Sequence, residues 1–134
     1  MRLWHQSLIS LLPRQQLLGQ HRECCALRGK GWDRKHSVVD YVFTYRPDYL
    51  VSYHYLVMDE MERRGYKPDG SWRHPHYRGK ELGRVDAWCE TALVQRCYDI
   101  AKEYNENNYR EHNDTYLAEC LENLRRKGIE ISEN

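Results

Sequence analysis

The sequence predicts an all-α fold: a single compact domain over residues 1–134, with four to five helices and an extended N-terminal segment packed against them. Apolar residues recur at helical spacing in several long segments, whereas alternating patterns typical of strands are almost absent. Prolines and glycines stand at the ends of those segments, where helices begin and end. With 134 residues, 40% of them hydrophobic, one core can form without disulfide bonds.

The first helix follows an irregular or extended segment, residues 1–12. Pro13 suits the first turn of a helix that runs to about Arg28. A rotation of ~100° per residue divides this helix into two faces. Residues predicted to face the core are Leu17, Leu18, His21, Cys24 and Cys25. Residues predicted to point away from it are Gln16, Gly19, Gln20 and Glu23.

Two further helices are predicted in the middle of the chain. Ser37 and Asp40 have the spacing of a capping box and start a short helix through Phe43. Pro47 then opens a long helix that Gly65 ends. Its apolar stripe predicts a core face rather than a cofactor site, with His54 as a hydrogen-bonded core histidine. The stripe comprises Leu50, Tyr53, His54, Val57, Met58 and Met61.

Residues 67–80 carry two prolines and two glycines and lose all periodicity, which predicts a long loop. A third long helix is predicted from Glu81 to about Tyr104. Its predicted buried side consists of Val85, Cys89, Ala92, Leu93, Arg96, Cys97 and Ile100.

The last helix follows a polar run, residues 105–112, that is read as a linker. Asn113 or Asp114 caps this helix, and Gly128 ends it. Its predicted core residues are Leu117, Cys120, Leu121 and Leu124.

The net charge of +1 hides an uneven distribution of charge. Residues 1–39 and 63–84 each hold seven Lys or Arg against two acids, whereas residues 85–134 hold six against eleven. If the two basic segments share a face, they form a phosphate-binding surface whose affinity falls with salt. The alternative is that both are ordinary solvated faces.

Five cysteines, an odd number that includes the adjacent pair Cys24 and Cys25, do not suit a secreted disulfide framework. We therefore expect a reducing cytoplasmic location, near the nucleoid if the partner is DNA. The apolar run before Pro13 is short and broken, so neither a signal peptide nor a membrane span is expected.

Two clusters of cations with aromatic residues are candidates for gripping nucleic acid, because glycines let a backbone approach phosphates and aromatic rings stack on bases. The predicted contacts are Arg2, Arg28, Lys30, Trp32, Arg34, Lys35, Arg73, His74, Arg78 and Lys80. The alternative is that the loop from Arg28 to His36 is a solvated connector. His74 and His76 lack a nearby cysteine or carboxylate at ligand spacing, so no metal site is predicted.

An Arg22-Glu23 dipeptide lies about twenty residues from the start, on a helix that follows a short N-terminal segment. With Gln15 and Leu17, it resembles the phage-type pyrimidine-dimer DNA glycosylases with attached AP-lyase activity, the endonuclease V type. Weaker similarity recurs in residues 36–43 and 58–66, so the resemblance covers the first half of the chain.

This resemblance implies an α-helical domain, a reaction without a cofactor and a division of roles. The N-terminal amine attacks the sugar beneath the damaged base and forms a Schiff base, and Glu23 is the catalytic carboxylate. Arg22 becomes a phosphate or sugar clamp, with Gln15 as a polar contact beside it. Because Arg2 is large, we expect the initiator methionine to be retained, which places the amine on Met1.

Three functions remain open at this point. The first is a DNA glycosylase and AP lyase that acts as a monomer on damaged double-stranded DNA, without a membrane partner. The second is a nucleic-acid-binding relative that lacks the reaction. The third is a helical structural protein in which Arg22 and Glu23 are ordinary exposed helix residues.

Overall fold

The computed structural model describes residues 3–33, without the side chain of Asp33, and residues 41–131. Within these ranges the regular structure is helical and contains no β-strand, which confirms the all-α prediction. The α-helices are α1 (Arg14–Arg28), α2 (Pro47–Arg63), α3 (Thr91–Tyr104) and α4 (Asp114–Arg126).

Helix α2 is the centre of the fold, since it packs against both α1 and α3. It begins at Pro47 as predicted, and Gly65 follows its end with a φ of +90°. Leu50, Tyr53 and Val57 are fully buried, so the apolar stripe forms the core. His54 is also buried and hydrogen-bonded, as predicted.

The N-terminal segment packs on this core, also as predicted. Its buried residues are Leu3, Leu8, Ile9 and Leu12, and a short 3-10 helix occupies Gln6–Leu8. The backbone N–H of Gln6 donates to Nδ1 of His112 at 3.0 Å. Residues 105–112, predicted to be a linker, therefore help to hold the segment: they bury both Tyr109 and His112.

Helix α3 begins at Thr91, so the prediction of helix from residue 81 was wrong. Gly83 and Ala87 both adopt a φ of +61°, which an α-helix does not allow. The buried face of α3 also differs from the prediction. Val94 and Ala101 are buried, whereas the predicted Ala92 and Arg96 are exposed.

Helix α4 starts as predicted, because the side chain of Asn113 accepts a hydrogen bond from the backbone N–H of Tyr116 at 2.9 Å. Gly128, with a φ of +80°, follows its end. In place of the short helix predicted over residues 37–43, the described part shows a 3-10 helix, Tyr41–Thr44. The helices in the described ranges are too short or too polar to cross a bilayer.

Candidate active site

The outer face of α1 borders an open groove with a volume of about 420 Å³. Glu23 lines this groove and is partly exposed, while its Oε1 atom is closed to solvent. Gly19 has no side chain to fill the groove, and a Cβ added there would lie 3.7 Å from Nη2 of Arg22. The exposed Arg22 guanidinium therefore lies beside the groove. The lining residues are Trp4, Gln15, Gln16, Gly19, Gln20, Glu23 and Lys127.

The N-terminal segment is fixed along the same groove. The backbone N–H of Trp4 donates to Oε1 of Gln20 at 2.7 Å, and the hydroxyl of Tyr53 donates to the Trp4 carbonyl at 2.6 Å. The hydroxyl of Tyr116 donates to the Leu3 carbonyl. These bonds correct the prediction for Gln20, which is only 4% exposed because its amide holds the segment.

A cation that the sequence analysis did not identify also lines the groove. Lys127, just after the end of α4, places its Nζ 5.7 Å from the centroid of the Trp4 ring, in the range of a cation–π contact. It lies outside the part of the chain that the resemblance covers. No local pattern links it to Glu23, so sequence reasoning had no signal for it.

Three of the predicted DNA contacts lie in the interior, which corrects their assignment. Arg28 is 0%, Trp32 6% and Arg78 8% exposed. Trp32 packs in the main hydrophobic core. The two arginines instead join the loop after α1 to residues 72–78, and we call them the arginine pair.

Each arginine of the pair donates hydrogen bonds to the chain segment that contains the other. The guanidinium of Arg28 donates to the carbonyl oxygens of Trp72, His74 and Tyr77 at 2.8–3.1 Å. Arg78 donates to the carbonyl oxygens of Arg28 and Gly29 at 2.8 and 2.9 Å. These charge-assisted hydrogen bonds satisfy carbonyls that the partly buried loops would otherwise leave without a donor from the protein.

Two predicted contacts, Lys30 and Lys80, are brought together at the surface. Both line a second groove with a volume of about 410 Å³, and both are exposed. Lys30 forms an ion pair of 2.9 Å with the exposed Glu81. Gly31 is required here, since a Cβ would lie 2.6 Å from the Ala26 carbonyl. The two basic segments therefore meet in this groove, through one lysine from each.

The remaining predicted contacts are placed differently. Arg73 is only partly exposed and pairs with Asp59 at 2.8 Å and with Glu62. His74 is partly buried, and its Nδ1 accepts from the backbone N–H of His76 at 3.1 Å. Met1, Arg2, Arg34 and Lys35 lie outside the residues that the structure describes.

The inner face of α1 carries a separate cluster that could hold a metal ion: His21, Cys25 and His54. Burial, followed by the Arg28 charge, lowers the pKa of His54 well below its ordinary value. Burial also lowers the pKa of His21 and raises that of the Cys25 thiol to about 11. In the absence of a metal, all three groups are therefore neutral near pH 7. The i, i+4 spacing of His21 and Cys25 was the signal that the sequence offered.

Comparison with known proteins gives one positive result. The family model described as pyrimidine dimer DNA glycosylase matches residues 1–74, which include α1, α2 and the start of the loop held by Arg28. No curated protein and no solved structure matches the chain. The matched region covers more than half of the 134 residues and contains Arg22 and Glu23. The chain therefore belongs to the pyrimidine dimer DNA glycosylase family.

Proposed function

We propose that this protein is a DNA glycosylase with an associated AP-lyase activity that acts on pyrimidine dimers in double-stranded DNA. Glu23 is the catalytic carboxylate, and the N-terminal amine of Met1 is the nucleophile. Family membership supports the reaction class. The structural observation that carries the proposal is that Glu23 and the N-terminal segment border one open groove.

The anchoring of the described N-terminal segment beside the groove supports the choice of nucleophile. Leu3 and Trp4 are fixed by Gln20, Tyr53 and Tyr116. Two residues of extended chain span at most ~7 Å, a reach that supports the proposal of an N-terminal nucleophile acting at this groove. An α-amine suits nucleophilic attack because its pKa of ~7.7–8.0 leaves a useful fraction neutral near pH 7.

The proposed reaction begins with attack of the amine nitrogen on C1′ of the damaged nucleotide. The bond from C1′ to the base breaks, and the base leaves with the bonding electrons and takes up a proton. Loss of the amine proton and opening of the sugar ring then give a Schiff base between C1′ and the amine. Glu23 stabilises the positive charge that develops on the sugar, as a fixed carboxylate in a site partly closed to water.

The lyase step uses the same two groups. Glu23 accepts a proton from C2′, and the C3′–O bond breaks, so the electron pair leaves with the 3′ phosphate. Water then hydrolyses the Schiff base and regenerates the amine. Arg22 and Lys127, both exposed beside Glu23, bind the phosphates that flank the lesion. The substrate nucleotide must leave the stack, which costs a few kcal/mol and is cheapest at damaged pairs.

Borohydride trapping tests this proposal, because it reduces a Schiff base to a stable amine. We expect a covalent adduct between the protein and a duplex that contains either a thymine dimer or an abasic site. N-terminally acetylated protein gives no adduct with either duplex, since its amine is blocked. Glu23→Gln loses the adduct with the dimer duplex, while the matched control Glu103→Gln, an exposed glutamate on α3, keeps it.

A second candidate function is a DNA-binding relative that lacks the reaction. It is favoured by position 26, which is an exposed alanine here, whereas the phage-type enzymes that the sequence resembles carry another arginine at the matching position. Salt-dependent binding of damaged duplex without any trapped adduct would support this candidate and contradict the enzyme. Absence of both binding and adduct would contradict both.

A further inference from the structure

Three side chains with ligand atoms converge between α1 and α2, on the face of α1 turned away from the Glu23 groove. His21 Nδ1 lies 2.9 Å from His54 Nε2. The sulfur of Cys25 lies 4.0 Å from Nδ1 of His21 and 3.9 Å from Nε2 of His54. One ligand atom from each residue therefore falls within 4.8 Å of the other two.

These separations are close to those of a transition-metal site. Zinc binds histidine nitrogen at ~2.0–2.1 Å and cysteine sulfur at ~2.3 Å in a tetrahedral arrangement. Those bond lengths place neighbouring ligand atoms roughly 3.3–3.7 Å apart. The observed values of 2.9–4.0 Å lie on both sides of that range, so small rotations of the side chains suffice.

We propose that His21, Cys25 and His54 bind a transition-metal ion that accepts mixed nitrogen and sulfur ligands, with Zn²⁺ as the first candidate. Three protein ligands leave the fourth position for water. The ion reaches the site from solvent, because His21 and Cys25 are only partly buried while His54 closes the inner side. The inference does not depend on the proposed DNA chemistry, since Glu23 lies on the other face of the helix.

Arg28 defines how the histidines are arranged in the absence of metal. Its Nη1 donates to Nδ1 of His54 at 3.0 Å, and a guanidinium can only donate. The proton of His54 is therefore on Nε2, which donates to Nδ1 of His21. Metal binding at Nε2 would move the proton of the neutral His54 ring to Nδ1, so the hydrogen bond from Arg28 to that atom would be lost. The thiol proton of Cys25 would pass to solvent, and Arg28 would keep its hydrogen bonds to the carbonyl oxygens of Trp72, His74 and Tyr77.

The metal ion would link the two helices next to the arginine pair. His21 and Cys25 come from α1, and His54 comes from the middle of α2. Arg28 is bound both to His54 and to the carbonyl of Trp72. An ion that binds only the folded protein stabilises it by mass action. Excess Zn²⁺ is therefore expected to raise the Tm by several degrees.

Titration of the full chain with Co²⁺ tests the site directly, because Co²⁺ reports its ligands spectroscopically. We expect one ion per chain, with visible bands of tetrahedral cobalt and a thiolate-to-cobalt charge-transfer band. Cys25→Ser loses the charge-transfer band, and His21→Asn weakens binding at least tenfold. Cys97→Ser, at a partly buried cysteine on α3, is the matched control and keeps both signals.

Thermal unfolding of the same variants shows whether they remain folded, and it gives a second readout. Zn²⁺ is expected to raise the Tm of the wild type and of Cys97→Ser, but not that of Cys25→Ser. The proposal is contradicted if Co²⁺ gives no charge-transfer band, or if the band persists in Cys25→Ser. It is equally contradicted if the band disappears in Cys97→Ser, because the thiolate ligand would then be elsewhere.

Discussion

The two faces of α1 carry similar residues in opposite environments, one exposed and one buried. Arg22 and Arg28 lie six positions apart on one helix, and Arg22 is exposed beside the Glu23 groove while Arg28 is fully buried. The outer face leaves its charged side chains at least partly accessible to solvent. On the inner face, Arg28 donates hydrogen bonds to three carbonyl oxygens and to His54. Positive charge in the sequence therefore has two structural outcomes, an exposed side chain beside a groove and the internal support of neighbouring loops.

The comparison predicts that changes on the outer face alter the reaction and leave the fold intact. Glu23→Gln removes the carboxylate and should lower the rate of strand cleavage about 10²–10⁴-fold, the usual contribution of a positioned acid–base group. Single-turnover cleavage of an abasic-site duplex measures this rate. Binding of the duplex should change little, and a variant that cleaves normally would exclude Glu23 as the catalytic carboxylate.

Changes on the inner face should affect stability. Arg28→Met removes a buried guanidinium and leaves three partly buried carbonyls without their donor, which should lower the free energy of unfolding by about 3 kcal/mol. Arg22→Met, the same substitution on the exposed side, should stay within about 0.5 kcal/mol of the wild type and weaken DNA binding. Urea denaturation of both variants checks this difference. If Arg22→Met and Arg28→Met lost the same free energy of unfolding, the proposed difference between the two faces of α1 would be contradicted.

Acid should weaken the docking of the N-terminal segment. Burial, followed by the neighbouring His5, lowers the pKa of His112 from about 6.5 to about 3, and His112 accepts a hydrogen bond from Gln6. The unfolded chain therefore binds the proton more strongly, so this stabilisation is complete above pH ~6.5 and is lost as the pH falls towards about 3. Its upper limit is roughly 4–5 kcal/mol.

Urea denaturation from pH 7 to pH 3 measures this dependence. His112→Gln should show a smaller loss of unfolding free energy over that range, because it has no imidazole to titrate. If wild type and His112→Gln lost stability in parallel, His112 would not be the group responsible.

The smallest expected effect concerns the groove between the two basic segments. Lys30→Gln and Lys80→Gln should each weaken DNA binding and reduce the slope of log K against log salt by about 1. Lys102→Gln is the matched control, since that exposed lysine lines a different groove. An unchanged slope in both groove variants would mean that DNA does not use this surface.

Local signals in the sequence predicted most of the helix ends. Pro13 and Pro47 stand at the starts of α1 and α2, and Asn113 caps α4. Those features act within one helical turn, so they can be read without knowledge of the fold. The segment before Thr91, which was wrongly predicted to be helical, has no such start signal. Its backbone instead has a positive φ at Gly83 and forms hydrogen bonds outside any helix.

The positions of several side chains depend on partners that are distant in the sequence, so local patterns could not predict them. Gln20 was assigned to the exposed face, but Trp4 and Tyr53, 16 and 33 positions away, provide its hydrogen-bond partners. Arg28 and Arg78 were read as DNA contacts because periodicity does not show where carbonyls need donors. The positions of Arg22 and Glu23 followed from the family resemblance, whereas Lys127 joins their groove only through the packing of α4.

The most direct test of the central claim is to identify the residue that carries the sugar after borohydride reduction. Peptide mapping by mass spectrometry of the adduct with abasic-site DNA gives that residue. We expect the modification on the amino group of Met1. A modification on Lys127, which lines the same groove as Glu23, or on any other lysine would contradict our account.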